Sequence, residues 1–241
     1  MRRVCVFAKP PVEGRVKTRL TPALPPALAC GLYRAMLEDA LEAARRCAAD
    51  GRSLIWAEAP ADGAGFAAAG FEVHAQQGAD LGERLANAFA GLLRTPDDRA
   101  VVIGADCPGL SARELDAAFE ALASRDAVLG PTRDGGYYLV GLRRHAPEIF
   151  AGIEWSTERV LAQTVERAKA AGLSVALLEP REDLDTPDDL VRLIAREAAS
   201  PSPVSATKTA RALRSWGLLP PGVGRTAALD RASRATREPA Q

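Results

Sequence analysis

Apolar residues recur along this chain at two spacings that take turns. Short runs such as RVCVF (3–7), SLIWA (53–57) and FEVHA (71–75) read as strands. Between them lie stretches with apolar residues at helical intervals. Tyr33, Met36, Leu37, Ala40, Leu41 and Ala44 form one face of a helix expected from about residue 26 to 50 and ended by Gly51. Leu81, Leu85, Phe89 and Leu92 form the next stripe, and AVVIG (100–104) is expected as the central strand. Ser111 and Glu114 make a capping box that opens a helix running to about residue 123. DAVLG (126–130), YYLVGL (137–142) and SVALLE (174–179) complete the strands. Residues 158–171 and 187–199 complete the helices.

Strands alternating with helices imply an α/β fold whose mostly parallel sheet is covered on both faces. The short gap between residues 130 and 137 implies a locally mixed strand order. Residues 1–199 are expected to form one domain. After it come a linker, a short helix over 210–216 and a tail poor in apolar residues that reads as disordered. That segment carries seven basic residues against only Asp230 and Glu238.

Composition narrows the function classes. With 31 basic and 31 acidic residues the net charge is zero, which argues against a dedicated nucleic-acid binder. No apolar run approaches the ~20 residues that span a bilayer, and the N-terminal apolar stretch is too short for a signal peptide. Cys5, Cys30, Cys47 and Cys107 are scattered, with only His74 and His145 beside them. This pattern gives no zinc site and reads as reduced thiols in a cytoplasm.

Five segments carry candidate chemistry. VVIGADCPGL (101–110) ends an apolar strand and places a lone carboxylate, Asp106, where open α/β sheets bind ligands. The plain alternative is a turn aspartate before a helix. KPPVEGRVKTRL (9–20) follows the first strand and crowds Lys9, Arg15, Lys17 and Arg19 around Gly14 and Thr18. Clustered cations and exposed amides suit a di- or triphosphate; otherwise this is a solvated basic loop. It is neither a P-loop nor a G-x-G-x-x-G turn.

REDLDTPDDL (181–190) supplies Asp183 and Asp185 ahead of a helix start already explained by Thr186, Pro187 and Asp189. Alternate carboxylates on an extended segment can aim at one cation. With Asp106 they would give three oxygen donors for Mg²⁺ or Mn²⁺. GPTRDGGYYLVGL (130–142) offers Thr132, Arg133 and Asp134 beside Gly135 and Gly136, as a binding loop or a plain hairpin. Asp134 is expected to bind a substrate hydroxyl or act as a base. QQGADLGERL (76–85) presents Arg84 to a phosphate or a base, or to solvent. Ser156, with Trp155 and Thr157, is a candidate for the acceptor side, whereas Trp155 itself reads better as core.

FAKPPVEGRVKTRL, GADCPGL, GPTRDGGYYLVGL, the WST before a helix and DLDTPDDL, in that order, resemble a bacterial glycosyltransferase family of the nucleotide-diphospho-sugar transferase superfamily. Its members are labelled radical-SAM/selenodomain-associated transferases or arsenosugar-biosynthesis glycosyltransferases. A more distant likeness is to 2-phospho-L-lactate guanylyltransferase. The resemblance implies a three-layer α/β/α Rossmann-like sandwich of GT-A type. It also implies a divalent metal at the positions of Asp106, Asp183 and Asp185. The chain lacks the glycine-rich opening of the sugar nucleotidyltransferases and a central D-x-D.

The expectation is therefore a metal-dependent transferase acting on a nucleotide-activated substrate and a small-molecule acceptor. Glycosyl transfer from a nucleotide sugar comes first. Nucleotidyl transfer with release of pyrophosphate comes second, and an inert binding subunit third. Lys9, Gly14, Lys17, Thr18, Arg19 and Arg84 would hold the nucleotide phosphates. Thr132, Gly135, Gly136 and Ser156 would hold substrate, and Asp134 and Lys17 would act in the reaction.

Overall fold

A computed structural model of the chain describes residues 1–58, 70–199 and 207–219. Of the expected linker (200–209), residues 200–206 lie outside the described residues, as does the terminal tail (220–241), whereas Thr207 caps a helix that Lys208 and Thr209 open, two residues before its expected start. Seven strands form one sheet: β1 (Arg2–Ala8), β2 (Gly51–Trp56), β3 (Glu72–Ala75), β4 (Arg99–Ile103), β5 (Ala127–Pro131), β6 (Tyr137–Leu142) and β7 (Val175–Leu177). Their order is β3-β2-β1-β4-β6-β5-β7. β6 runs antiparallel to both β4 and β5, while the other pairs are parallel. The five residues between β5 and β6 leave no room for a crossover, so only a hairpin can form there. This is the mixed order implied by the spacing of the two segments.

The helices are α1 (Pro26–Arg46), α2 (Leu81–Leu92), α3 (Ala112–Ala121), α4 (Val160–Ala170), α5 (Pro187–Ala199) and α6 (Lys208–Ser215). None among the described residues is long and apolar enough to cross a membrane. Strand residues alternate between two faces. Cys5, Ile55, Val102, Leu129 and Val140 join a core with Leu85 and Phe89 of α2 and with Ala168 of α4. Their buried neighbours Val101 and Val128 face the other way. There a Cβ added at Gly141 would meet both of them and Leu122, which follows α3. The sheet is therefore covered on both faces, the three-layer α/β/α arrangement expected.

α1 stops at Arg46, four residues before the expected end. The reason is Arg52 of β2. Its guanidinium donates to the carbonyls of Ala44 (2.8 Å), Arg45 (3.2 Å) and Cys47 (3.0 Å), satisfying groups a helix end leaves orphaned. Asp50 then binds the Arg2 amide at 2.7 Å, so the chain has already turned into the sheet.

The chain divides into two compact units. The first (Met1–Lys9, Leu41–Gly104, Ser111–Arg181) holds the whole sheet. The second comprises Pro10–Ala40, Ala105–Leu110 and the chain from Glu182 onward. Its core joins Leu20 and Leu24, Leu32 and Met36 of α1, Leu190 of α5 and Leu213 of α6. Asp39 fastens α6, accepting from the amides of Lys208 (2.8 Å) and Thr209 (2.9 Å) and from the Thr209 hydroxyl (2.7 Å).

Candidate active site

Three segments of the second unit build one charged cluster. In the basic loop, Val16 and Leu20 are buried and pin the backbone, while Thr18 and Arg19 stay exposed. Gly14 has φ 74°, and a Cβ there would meet nothing within 4 Å, so glycine serves the turn rather than a close approach. Lys17 has φ 49° and ψ 36°, a left-handed conformation costly for a lysine, and opens the 3-10 turn Thr18–Leu20. Among the described residues only Lys17 and Ser156 (φ 65°) are non-glycine residues with positive φ. Both were singled out from sequence, and backbone strain of this kind gathers at functional sites.

The two acidic segments run side by side. The Leu184 amide donates to the Asp106 carbonyl at 2.9 Å, and Leu184 is buried in the unit's core. This fixes Asp185 beside Asp106. The Lys17 ammonium then lies 2.5 Å from a carboxylate oxygen of Asp106 and 2.5 Å from one of Asp185. Arg19 reaches 4.0 Å from the other Asp185 oxygen, with its side chain 71% exposed.

Electrostatics follow from this geometry. Burial alone would pull the Lys17 pKa down. Asp106 and then Asp185 outweigh it, so the net shift is upward and the side chain is a cation at neutral pH. The Lys17 side chain is 3% exposed, whereas those of Asp106 and Asp185 are 53% and 37% exposed. The lysine therefore approaches from within, and the carboxylates open outward. Two aspartates on one small cation also suit Mg²⁺ or Mn²⁺, which take one or two carboxylates and fill the remaining positions with water and substrate phosphate.

Asp183 does not join them. It lines a crevice of about 10 Å³ with Pro108, Glu182, Asp189, Arg192 and Arg196. Among the described residues no group of three His, Cys, Asp or Glu is placed to hold a metal ion. Alternate residues share a direction only on an extended strand. The chain after Arg181 has no strand pairing to keep it extended before α5 begins. The α5 start is a reciprocal cap. Asp189 accepts from the amides of Asp185 (3.0 Å) and Thr186 (2.6 Å) and from the Thr186 hydroxyl (2.7 Å).

The remaining candidates belong to the first unit. Asp134 accepts from the Thr132 hydroxyl at 2.5 Å and from the Gly136 amide at 3.1 Å, which closes the β5–β6 loop on itself. Gly135 has φ 87°, and a Cβ there would collide with the Glu158 carbonyl oxygen. The close approach it permits is to the chain's own backbone, where the Leu161 amide donates to the Gly135 carbonyl at 2.8 Å. Arg84 holds the loop before α2 through the Gly78 carbonyl at 3.2 Å. Ser156 is exposed, and Trp155 packs edge-on against Tyr137 in the core. Lys9 follows β1 and is exposed.

Arg181 escaped notice in the sequence. Its amide donates to the Pro131 carbonyl at 2.9 Å, its carbonyl accepts from Arg133 at 3.2 Å, and its guanidinium pairs with Glu114. It thus anchors the start of the acidic segment. The only signal available was an arginine directly before an acidic run, which has many bland explanations.

Comparison with known proteins agrees with the fold. A family model described as an uncharacterised protein conserved in bacteria (DUF2064) matches residues 37–157. A 3-phospho-D-glycerate guanylyltransferase from Phenylobacterium zucineum (strain HLK1) is 31% identical over 189 residues, which are 73% of this chain and 83% of that protein. A crystal structure from Desulfovibrio desulfuricans G20, whose name assigns it provisionally to the nucleotide-diphospho-sugar transferases, is 31% identical. It covers 96% of this chain and 97% of its own, with a TM-score of 0.82. The CMP:2-keto-3-deoxy-manno-octonic acid synthetase solved with CTP shares the fold, at 13% identity, 80% of this chain, 96% of its own and a TM-score of 0.52. The chain is a transferase with the α/β fold of the nucleotide-diphospho-sugar transferases, which sets aside the inert subunit weighed third from the sequence.

Proposed function

The chain belongs to the DUF2064 family of bacterial proteins, and from that premise we propose that it transfers a nucleotidyl group from a nucleoside triphosphate to a phosphorylated small acid, releasing pyrophosphate. The observation that carries this reading is the meeting of Lys17, Asp106 and Asp185 on one point. The sequence alone ranked glycosyl transfer first. We place nucleotidyl transfer ahead of it, a choice that the guanylyltransferase relative supports. Glycosyl transfer stays as a second reading, favoured by the extent of the likeness to the Desulfovibrio structure.

Asp106 and Asp185 would hold Mg²⁺ or Mn²⁺. The ion would supply positive charge to the phosphate oxygens as the leaving group departs. In the reaction an oxygen of the acceptor phosphate attacks the α-phosphorus. The bond from that phosphorus to the bridging oxygen breaks, and its electron pair leaves with pyrophosphate. Lys17 and Arg19 add fixed positive charge beside those oxygens, and the Lys9 to Arg19 loop supplies amides and the Thr18 hydroxyl. A phosphorylated acceptor arrives ionised, so no base is required. Asp134, bound to Thr132 and Gly136, then shapes the acceptor loop rather than removing a proton. Thr132, Gly136 and Ser156 are the acceptor-binding candidates of this reading, and Arg84 remains a phosphate-binding candidate.

The test is product identity. The full chain with Mg²⁺ or Mn²⁺ is offered each nucleoside triphosphate with 3-phospho-D-glycerate and related phosphorylated acids. Pyrophosphate is the expected product. Release of a nucleoside diphosphate from a nucleotide sugar would instead establish glycosyl transfer. Absence of turnover and of any thermal shift with every nucleotide would overturn both.

A further inference from the structure

Lys17 occupies the place a shared cation would take. Its nitrogen is 2.5 Å from one oxygen of each aspartate. An ion bridging the same two oxygens at about 2.1 Å would share them with the ammonium and stand beside it as a like charge. Lysine and ion therefore oppose each other on this pair. The burial pattern gives each its own approach. The lysine comes from the protein side, and the half-exposed carboxylates admit an ion from solvent.

We propose that Lys17 is a built-in counter-cation that competes with the divalent ion for Asp106 and Asp185, and that nucleotide phosphate is the group that draws it away. This rests on the nucleotide-transfer reading of the same site. The two ligands then assist each other. An ion binding alone breaks a buried ion pair and leaves the ammonium without its carboxylates, which is costly. A nucleotide binding alone meets an ammonium already neutralised. Bound together, the ion takes the carboxylates and the phosphate takes the lysine, so affinity for each rises in the presence of the other. Lys17 is thus a positioning residue before the nucleotide arrives.

The test uses Mn²⁺ alone, titrated into the full chain and followed by the electron paramagnetic resonance of the free ion. Lys17→Gln should bind Mn²⁺ about tenfold tighter than the natural chain or better. Lys17→Arg, which keeps a cation, should resemble the natural chain, and adding Asp106→Asn to Lys17→Gln should remove the gain. Equal affinity with and without the lysine overturns the proposal. Should Lys17→Gln fail to fold, reductive methylation of the natural chain gives an independent readout. Labelling of Lys17 should rise at saturating Mn²⁺, and constant labelling overturns the exchange. Pyrophosphate release is scored separately. Exchange without turnover would refute only the transfer reading, and turnover without exchange only this one.

Discussion

Lys17 shows how one residue can bring distant parts of a chain to a single point. It is presented by a left-handed backbone between the buried Val16 and Leu20, and it joins carboxylates that lie far along the sequence. The same geometry separates two aspartates that look equivalent in DLD. Asp185 touches the lysine, whereas Asp183 lines a crevice with Arg192 and Arg196. Asp185→Asn should therefore weaken Mn²⁺-dependent nucleotide binding about tenfold or more, ~1.4 kcal/mol. Asp183→Asn should change it far less, and calorimetry on the two variants separates them. Equal losses would mean that both carboxylates serve the nucleotide site. Gly135 makes a second claim at this scale. With φ 87° and the Glu158 oxygen where a Cβ would go, Gly135→Ala should lose about 1–3 kcal/mol in denaturant unfolding. A variant as stable as the natural chain would mean that the α4 approach relaxes freely.

Elements show which local rules held and which were overridden. The period-two runs and the α1, α2 and α3 faces were legible because each buries one side, which hydrophobic spacing reports. The end of α1 was not, because Arg52 terminates it from the following strand and no local signal records that. The geometry of the charged cluster was half legible. Asp106 and Asp185 stood out as carboxylates beyond a strand end and before a helix cap. The placing of Asp185 beside Asp106, however, depends on tertiary fastening of Leu184 to the Asp106 carbonyl. The role of Gly135 as a contact between two pieces of chain was equally hidden, since D-G-G marks a ligand loop and a hairpin alike.

Asp39 holds three donors at the start of α6, so Asp39→Ala should cost about 1–2 kcal/mol in urea unfolding and loosen protection of the α6 amides in hydrogen exchange. Unchanged exchange there would show that packing of Leu213 alone holds the helix. Asp126 ties β5 to the start of β7. The Ser174 hydroxyl and amide, and then Arg143, lower its pKa from 3.8 to about 2 against the opposing effect of burial. The folded state therefore favours the ionised carboxyl. Its contribution is present above about pH 4 and is lost as pH falls through about 2. Acid unfolding of Asp126→Asn should lack that share of the loss, and a profile identical to the natural chain would place the acid-sensitive group elsewhere.

At the scale of the molecule, a neutral chain with a mixed seven-stranded sheet carries Lys17 and Asp106 on the segments that follow β1 and β4, and open α/β folds bind ligands at such segments. On the proposed reading the charged cluster of Lys17, Asp106 and Asp185 would carry the phosphate chemistry. Electrostatic stabilisation by an ion and fixed cations is worth several kcal/mol in such reactions, so loss of one ligand carboxylate should cost on the order of 100-fold or more in rate. The most direct measurement is steady-state pyrophosphate release with Mg²⁺, a nucleoside triphosphate and a phosphorylated acid, in the natural chain and in Asp106→Asn. The natural chain should release pyrophosphate, and Asp106→Asn should fall by that factor while melting at a similar temperature. Turnover by folded Asp106→Asn at the natural rate would contradict the account.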